Sequence, residues 1–171
     1  MSATLDVIVR VETDADHSAI RHVNEAAFGT SEEADLVDAL RTQGVVLASV
    51  VAELEGEVVG HILFSRMSIE NGTTAIPAVA LAPMAVAPHH QRQGIGGRLI
   101  RHGLATLRRL DERIVLVVGH PTYYPRFGFS SERARSLEHP FPAEAFMALE
   151  LTPGALEGIR GSVRYPRAFG L

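Results

Sequence analysis

One proline limits the folds open to this chain more than any other residue. From Ala75 to Val86 nearly every position is apolar, as in a strand buried on both faces and therefore central in a sheet, yet Pro83 stands inside the run. A proline donates nothing to a ladder, so a central strand that contains one must bulge or part from a neighbour there. The segments that follow complete a unit. A glycine-rich stretch, Gln91-Arg92-Gln93-Gly94-Ile95-Gly96-Gly97-Arg98-Leu99, opens a helix reaching about Leu110, with Ile95, Leu99, Leu104 and Leu107 on one side. Ile114 to Val118 is then a further buried strand. Strand, helix and strand in this order form a βαβ unit, in a sheet expected to open near Pro83.

The glycine-rich stretch is the strongest chemical signal. Glycines let successive backbone N–H groups turn inward, and a helix start adds about half a positive charge, so the loop suits a phosphate. Arg92 and Arg98 add cations able to form charge-assisted bonds. On these residues alone, a glycine-rich turn with no ligand is the alternative. Two nucleotide motifs are absent: the P-loop requires Gly-Lys-Ser or Gly-Lys-Thr, and the dinucleotide fingerprint requires a third glycine where Leu99 stands.

Around this unit the pattern is that of an α/β chain without internal repeat or linker, read as a single domain over 1–171. Val7 to Val11 alternates as a first strand. Thr13-Asp14-Ala15-Asp16 marks a helix start with Ile20, Val23 and Ala27 on the buried face, and Thr30-Ser31-Glu32-Glu33 repeats the signal before Leu36, Val37 and Leu40, with Gly44 as the stop. Val46 to Ala52 and Val58 to Ile69 make a hairpin across Glu55-Gly56-Glu57, and Asn71-Gly72 turns into the proline-containing strand. Past Gly119 a short helical turn is expected around Tyr123 to Phe127, with closing strands at Ala145 to Leu151 and Gly161 to Tyr165.

Composition narrows the chemistry. A chain of 171 residues with 46% hydrophobic and 21% charged content can bury a core without staples. No Cys is present and all 16 basic residues are Arg, which excludes a cysteine acyl-enzyme, a thiolate zinc site and lysine Schiff-base chemistry. A net charge of -4 spread over both signs argues against nucleic acid as partner. No apolar run approaches a bilayer span, and Met1-Ser2-Ala3-Thr4-Leu5-Asp6 lacks a basic, then apolar leader, so no membrane association and a cytoplasmic location are expected.

The loop and its setting resemble the GNAT superfamily of acetyltransferases. Gln91 to Gly96 is similar to the Gln/Arg-x-x-Gly-x-Gly/Ala loop that binds the coenzyme A pyrophosphate in that family, preceded by a strand like Leu81-Ala82-Pro83-Met84-Ala85-Val86. Tyr123-Tyr124-Pro125-Arg126-Phe127-Gly128-Phe129 resembles the family's Tyr-x-x-x-Gly-Phe segment, and Val58-Val59-Gly60-His61-Ile62 its Val-x-Gly hairpin strand. With Ala26-Ala27-Phe28 and Leu40-Arg41 the likeness covers residues 7 to about 130 and is greatest to a small bacterial YhbS-like subgroup. It implies a mixed, mostly antiparallel central sheet of six to seven strands, splayed between the fourth and fifth and flanked by about four helices, with closing strands within 131–171. It also implies acetyl-CoA as co-substrate and no metal. The cofactor residues would be Met84, Ala85 and Val86 on the fourth strand and Gln91, Arg92, Gln93, Gly94, Ile95, Gly96, Gly97 and Arg98 in the loop.

The implied activity is direct transfer of acetyl from the thioester to a small-molecule or peptide amine in a ternary complex; the resemblance admits a homodimer. A coenzyme-A-binding sensor of the same fold without catalysis is the alternative. Tyr124 aligns with the tyrosine that protonates the departing thiolate, a transfer uphill by about 2 kcal/mol at ordinary phenol and thiol pKa values; a core aromatic is the bland reading of that residue. Met84 or Ala85 would offer the oxyanion N–H. Glu33 matches an acidic position of the subgroup and is the candidate base, although a capping box from Thr30 explains it too. His120 is a second candidate base, while His89-His90 reads as a solvated loop rather than a metal site.

Overall fold

An eight-stranded mixed sheet carries the fold, which the computed structural model describes over residues 6–171. The expectation drawn from Met1 to Leu5 lies outside the described residues. The strands are β1 (Val7–Val11), β2 (Val46–Leu54), β3 (Glu57–Asn71), β4 (Thr74–Val86), β5 (Ile114–Val118), β6 (Leu137–Glu138), β7 (Phe146–Glu150) and β8 (Gly161–Arg164). They lie in the order β1-β2-β3-β4-β5-β7, with β8 pairing the far end of β3 and β6 pairing β8. Only β4–β5 and β6–β8 are parallel. The helices are α1 (His17–Phe28), α2 (Glu32–Thr42) and α3 (Ile95–Arg109), joined by short 3₁₀ turns. The mixed, mostly antiparallel architecture agrees with the resemblance. Its strand count is higher because two-residue β6 has no periodicity to read, and its helix count lower because the segment after β5 winds only a 3₁₀ turn, Tyr124–Phe127.

Two layers cover the sheet. α3 lays Leu99, Ile100 and Leu107 on Ile62 and Phe64, all fully buried, so its start is clamped to the sheet through Ile95. On the other face Ile20 of α1 and Val37 and Leu40 of α2 pack on Val51 and Leu63. A third cluster, including Met67, Leu116 and Phe146, is closed by the segment after Gly128. The first helical segment begins with a sealed end: the Asp16 carboxylate accepts from the Thr13 N–H at 2.7 Å and from two nitrogens of Arg10 at 2.7 and 2.9 Å.

The sheet opens where Pro83 predicts. Between Phe64↔Leu81 and Ile62↔Met84 the partner strand advances two residues and β4 three, so β4 bulges by one residue at Ala82–Pro83. β4 and β5 are paired only at Val79↔Val115 and Ala80↔Leu116 and separate beyond. The rest of β4, Leu81 to Val86, therefore borders a gap whose far wall follows β5.

Candidate active site

The loop entering α3 is tied back to the strand it leaves, because Gln91 Nε2 donates to the Val86 carbonyl at 3.0 Å. Arg92 (φ 61°) and Gly94 (φ 84°) are left-handed, which costs Arg92 strain that Gly94 escapes. Gly94 is the N-cap residue and offers no side-chain acceptor. The first helical N–H groups, of Ile95, Gly96 and Gly97, have no intrahelical partner by the geometry of a helix, whereas the Arg98 N–H already bonds Gly94 O at 3.2 Å. Gln91, Arg92, Gln93, Gly94 and Arg98 are exposed, while Ile95 and Gly97 are buried anchors.

Gly96 is the tightest point of this cradle. A Cβ there would lie 2.8 Å from the Tyr123 hydroxyl and 3.4 Å from Met84 Cε, so a side chain would fill the space between helix start, strand and tyrosine. An anion with an extended tail fits this donor set, whose backbone groups can meet its charge without side-chain bulk.

Strand register decides which backbone groups of β4 face the gap. The Ala87 N–H donates to Val59 O at 2.8 Å, which makes Val86↔Gly60 a non-hydrogen-bonded pair and Ala85↔His61 the hydrogen-bonded one. Ala85 thus spends its N–H and C=O on β3, and Met84 and Val86 turn theirs toward the gap, where the Val86 carbonyl already accepts from Gln91. Of the two predicted oxyanion donors, the register favours Met84.

Across the gap the 3₁₀ turn after β5 positions two tyrosines differently. The His120 carbonyl accepts from the N–H groups of Tyr123 and Tyr124, at 3.1 and 3.4 Å, and starts the turn. The Tyr124 ring lies against the backbone of Gly119, where a Cβ would meet Tyr124 Cε2 at 2.3 Å, and only glycine permits this approach. Tyr124 is 8% exposed in the main core, edge-on to Tyr123 and Phe129 at 5.2 and 5.7 Å. Its hydroxyl has no hydrogen-bond partner among the described residues, yet it is not one of the sealed unsatisfied atoms. Burial pushes the phenol up to about 12, so it keeps its proton throughout the physiological range. Against a thiol near 8.5 the full transfer becomes uphill by about 5 kcal/mol rather than about 2.

Tyr123 was missed by sequence reasoning as a site residue. Half-buried, it sets its hydroxyl against Gly96 and Met84, and burial raises its pKa against the opposing pull of Arg126 and Arg101. The signal was the doublet itself: neighbours on a tight turn point in different directions, so when one ring enters the core the other faces elsewhere.

The remaining candidates stand apart. Glu33 is partly exposed in the first turn of α2, and no hydrogen bond or ion pair joins it to Tyr124, Met84 or the loop among the described residues. The expected capping box from Thr30 is not formed either, since Ser31 is the N-cap residue and Thr30 meets Glu33 only hydroxyl to carboxylate at 3.5 Å. His120 is exposed, and His89 and His90 end in a 3₁₀ turn; no group of three metal-capable side chains gathers among the described residues.

A second polar cluster was also not foreseen. His61, opposite Ala85, is fully buried under α1. Asn24 Nδ2 donates to Ile20 O at 2.9 Å and faces His61 Nδ1 at 3.1 Å, which leaves His61 Nε2–H to donate to Ser49 Oγ at 2.9 Å. Burial, and secondly Arg41, push His61 down to about 3, so it is neutral.

A splayed β4–β5 pair, a one-residue bulge and an uncapped helix start beside the half-buried Tyr123 are the frame of an acyltransferase fold. The chain belongs to the GNAT acetyltransferase family: residues 9–131 match the family described as acetyltransferase (GNAT) domain. It is 42% identical over 135 residues to the uncharacterized N-acetyltransferase YjhQ of Escherichia coli K12, covering 76% of this chain and 75% of that one. The uncharacterized N-acetyltransferase YhbS of the same strain is 31% identical over 166 residues, 95% of this chain and 98% of its own. The crystal structure of Escherichia coli YhbS in complex with CoA superposes with a TM-score of 0.90 at 30% identity, covering 100% of this chain and 96% of that one. A GNAT family acetyltransferase from Brucella melitensis in complex with acetyl-CoA gives 0.80 at 37% identity, covering 95% and 97%. By family this protein is an acyltransferase, and among the described residues no helix is long and apolar enough to cross a membrane.

Proposed function

We propose that this chain is a single-domain, cytoplasmic acetyl-CoA-dependent N-acetyltransferase that moves acetyl directly to an amine while both substrates are bound. One observation carries the reading: the free N–H groups of α3 and the gap-facing edge of β4 meet at Gly96, where a Cβ would collide with Tyr123. Bound acetyl-CoA supplies an activated thioester. The N–H groups of Ile95, Gly96 and Gly97, with Gln91, Arg92, Gln93, Gly94 and Arg98 around them, would hold its diphosphate. Met84 and Val86 would pair their backbone with its extended arm as an added strand, the mode by which open sheet edges take extended ligands.

Met84 N–H is the candidate oxyanion donor. Tyr124 holds its proton at Oη for the departing sulfur, and the dry setting that raises the phenol raises a thiol too, which narrows the gap between them. Glu33 is the candidate base; its carboxylate takes no part in a capping box and accepts only from the Thr30 hydroxyl at 3.5 Å. The acceptor is a small-molecule or peptide amine. A panel of amino acids, polyamines and short peptides scored by free thiol release tests the reading: amine-dependent release supports it. Slow release without amine dependence overturns it in favour of a coenzyme-A sensor.

A further inference from the structure

Four arginines surround the start of α3 without an anion to answer them. Arg10, Arg21, Arg41, Arg66, Arg133 and Arg164 each lie within ion-pair distance of a carboxylate. Arg92, Arg98, Arg101 and Arg126 have no carboxylate or other hydrogen-bond acceptor for their side chains among the described residues, as is also true of Arg108, Arg113, Arg135, Arg160 and Arg167 elsewhere. Two of these four are also held in place. The Arg101 guanidinium sits 5.1 Å over the Phe127 ring and that of Arg126 sits 5.7 Å over Tyr123, and the two rings meet edge to face at 5.3 Å.

The helix makes room for this arrangement. Arg101 lies one turn beyond Gly97, and its side chain leans back toward the helix start as long helical side chains do. A Cβ on Gly97 would come 3.3 Å from Arg101 Nη1 and 3.4 Å from Phe127, so the glycine admits both. Two like charges on abutting rings repel each other, and restraining them costs side-chain entropy that an anion would offset. Aromatic faces fix the guanidiniums by cation–π attraction while leaving their N–H forks free.

We propose that Arg101 and Arg126 form a phosphomonoester subsite, distinct from the loop that takes the diphosphate, and that it reads the 3′-phosphate of coenzyme A. This rests on the cofactor reading above. The diphosphate carries two charges, met by the α3 N–H groups with Arg92 and Arg98. The 3′-phosphate carries nearly two more, is the only other anionic group of that ligand, and matches two rigid forks. The subsite would make the protein select coenzyme A over its 3′-dephospho form.

Calorimetry with coenzyme A and 3′-dephospho-coenzyme A on the parent, Arg101→Met, Arg126→Met and the double variant tests this. The parent should bind coenzyme A about tenfold or more tightly than the dephospho form. Each single variant should lose most of that preference, and the double variant all of it, with dephospho-coenzyme A binding within about twofold of the parent throughout. Retained dephospho-coenzyme A binding also shows that each variant is folded. Equal parent affinity for the two ligands overturns the subsite, as do variants that weaken both ligands alike, which would place the arginines on the diphosphate. A parent that binds neither ligand overturns the cofactor reading itself.

Discussion

The two faces of the central strands handle polarity in opposite ways. Under α1, polar groups are sealed inside: His61 bonds both Asn24 and Ser49, with only Asn24 Oδ1 of these side chains left buried without a partner, and Asp16 closes the start of the helical segment with Arg10 and Thr13. Under α3 the packing is apolar throughout, and polarity is left open at one end, where Gly94 caps nothing and Met84 and Val86 face a gap. Buried polar groups that satisfy one another serve the fold, and unsatisfied ones at a rim serve a ligand. Changes on the α3 side should therefore alter binding and chemistry with little effect on stability, and changes on the α1 side the reverse.

The largest effect expected is from Gly96→Asp, which adds a side chain and a negative charge inside the cradle. Acetyl-CoA affinity by calorimetry should fall by more than about 100-fold, while the melting temperature falls only modestly, because the Tyr123 ring must shift from the new Cβ but an acid near a helix start is tolerated. Undiminished binding would show that the open end is not the cofactor site and remove the contrast between the faces.

Tyr124→Phe comes next. Loss of a hydroxyl used only in the transition state should lower kcat about 100-fold with cofactor affinity nearly intact, once chemistry is confirmed as the slow step. Tyr123→Phe should leave kcat within about threefold. Because burial holds the Tyr124 phenol at about 12 against about 10 when unfolded, its stabilising contribution is complete below pH 10 and is lost as pH rises toward 12. The acid donor accordingly survives the whole working range. Parent-like turnover in the Tyr124 variant would leave water or backbone to protonate the sulfur.

The smallest effect on binding belongs to the sealed face. His61 is neutral with a pKa of about 3, while the unfolded chain takes up that proton near 6.5. The unfolded state thus binds more protons between these values, and stability should fall with acid by about 1.4 kcal/mol per pH unit below pH 6. In His61→Gln that slope should shrink, whatever the variant's stability at pH 7, and acetyl-CoA affinity should stay within about threefold. Asp16, held well below the usual carboxylate range by Arg10, adds a second loss only as pH falls below about 4. An unchanged urea-derived slope in the His61 variant would mean that the cluster is not sealed.

The sequence by itself determined the order of elements, the opening at Pro83 and the glycine-rich entry into α3, because each is written locally: a proline that cannot donate, glycines at a strand-to-helix junction, and periodicities of two and 3.6 residues. Two-residue β6 and the shift of the α2 N-cap to Ser31 were not legible, since neither has a period or an unambiguous cap residue. The site depended on contacts between distant segments. Whether Met84 or Ala85 offers its N–H follows from pairing with His61 twenty-odd residues earlier, and a one-residue slip would exchange them. The different settings of Tyr123 and Tyr124 follow from a turn laid against Gly119 on one side and Gly96 on the other. The unanswered charge of Arg101 and Arg126 emerges only when two rings bring them beside the same helix start. Tertiary structure alone decided these points, because hydrogen-bond direction, burial and charge pairing are properties of neighbours in space, and the chain order does not state who those neighbours are.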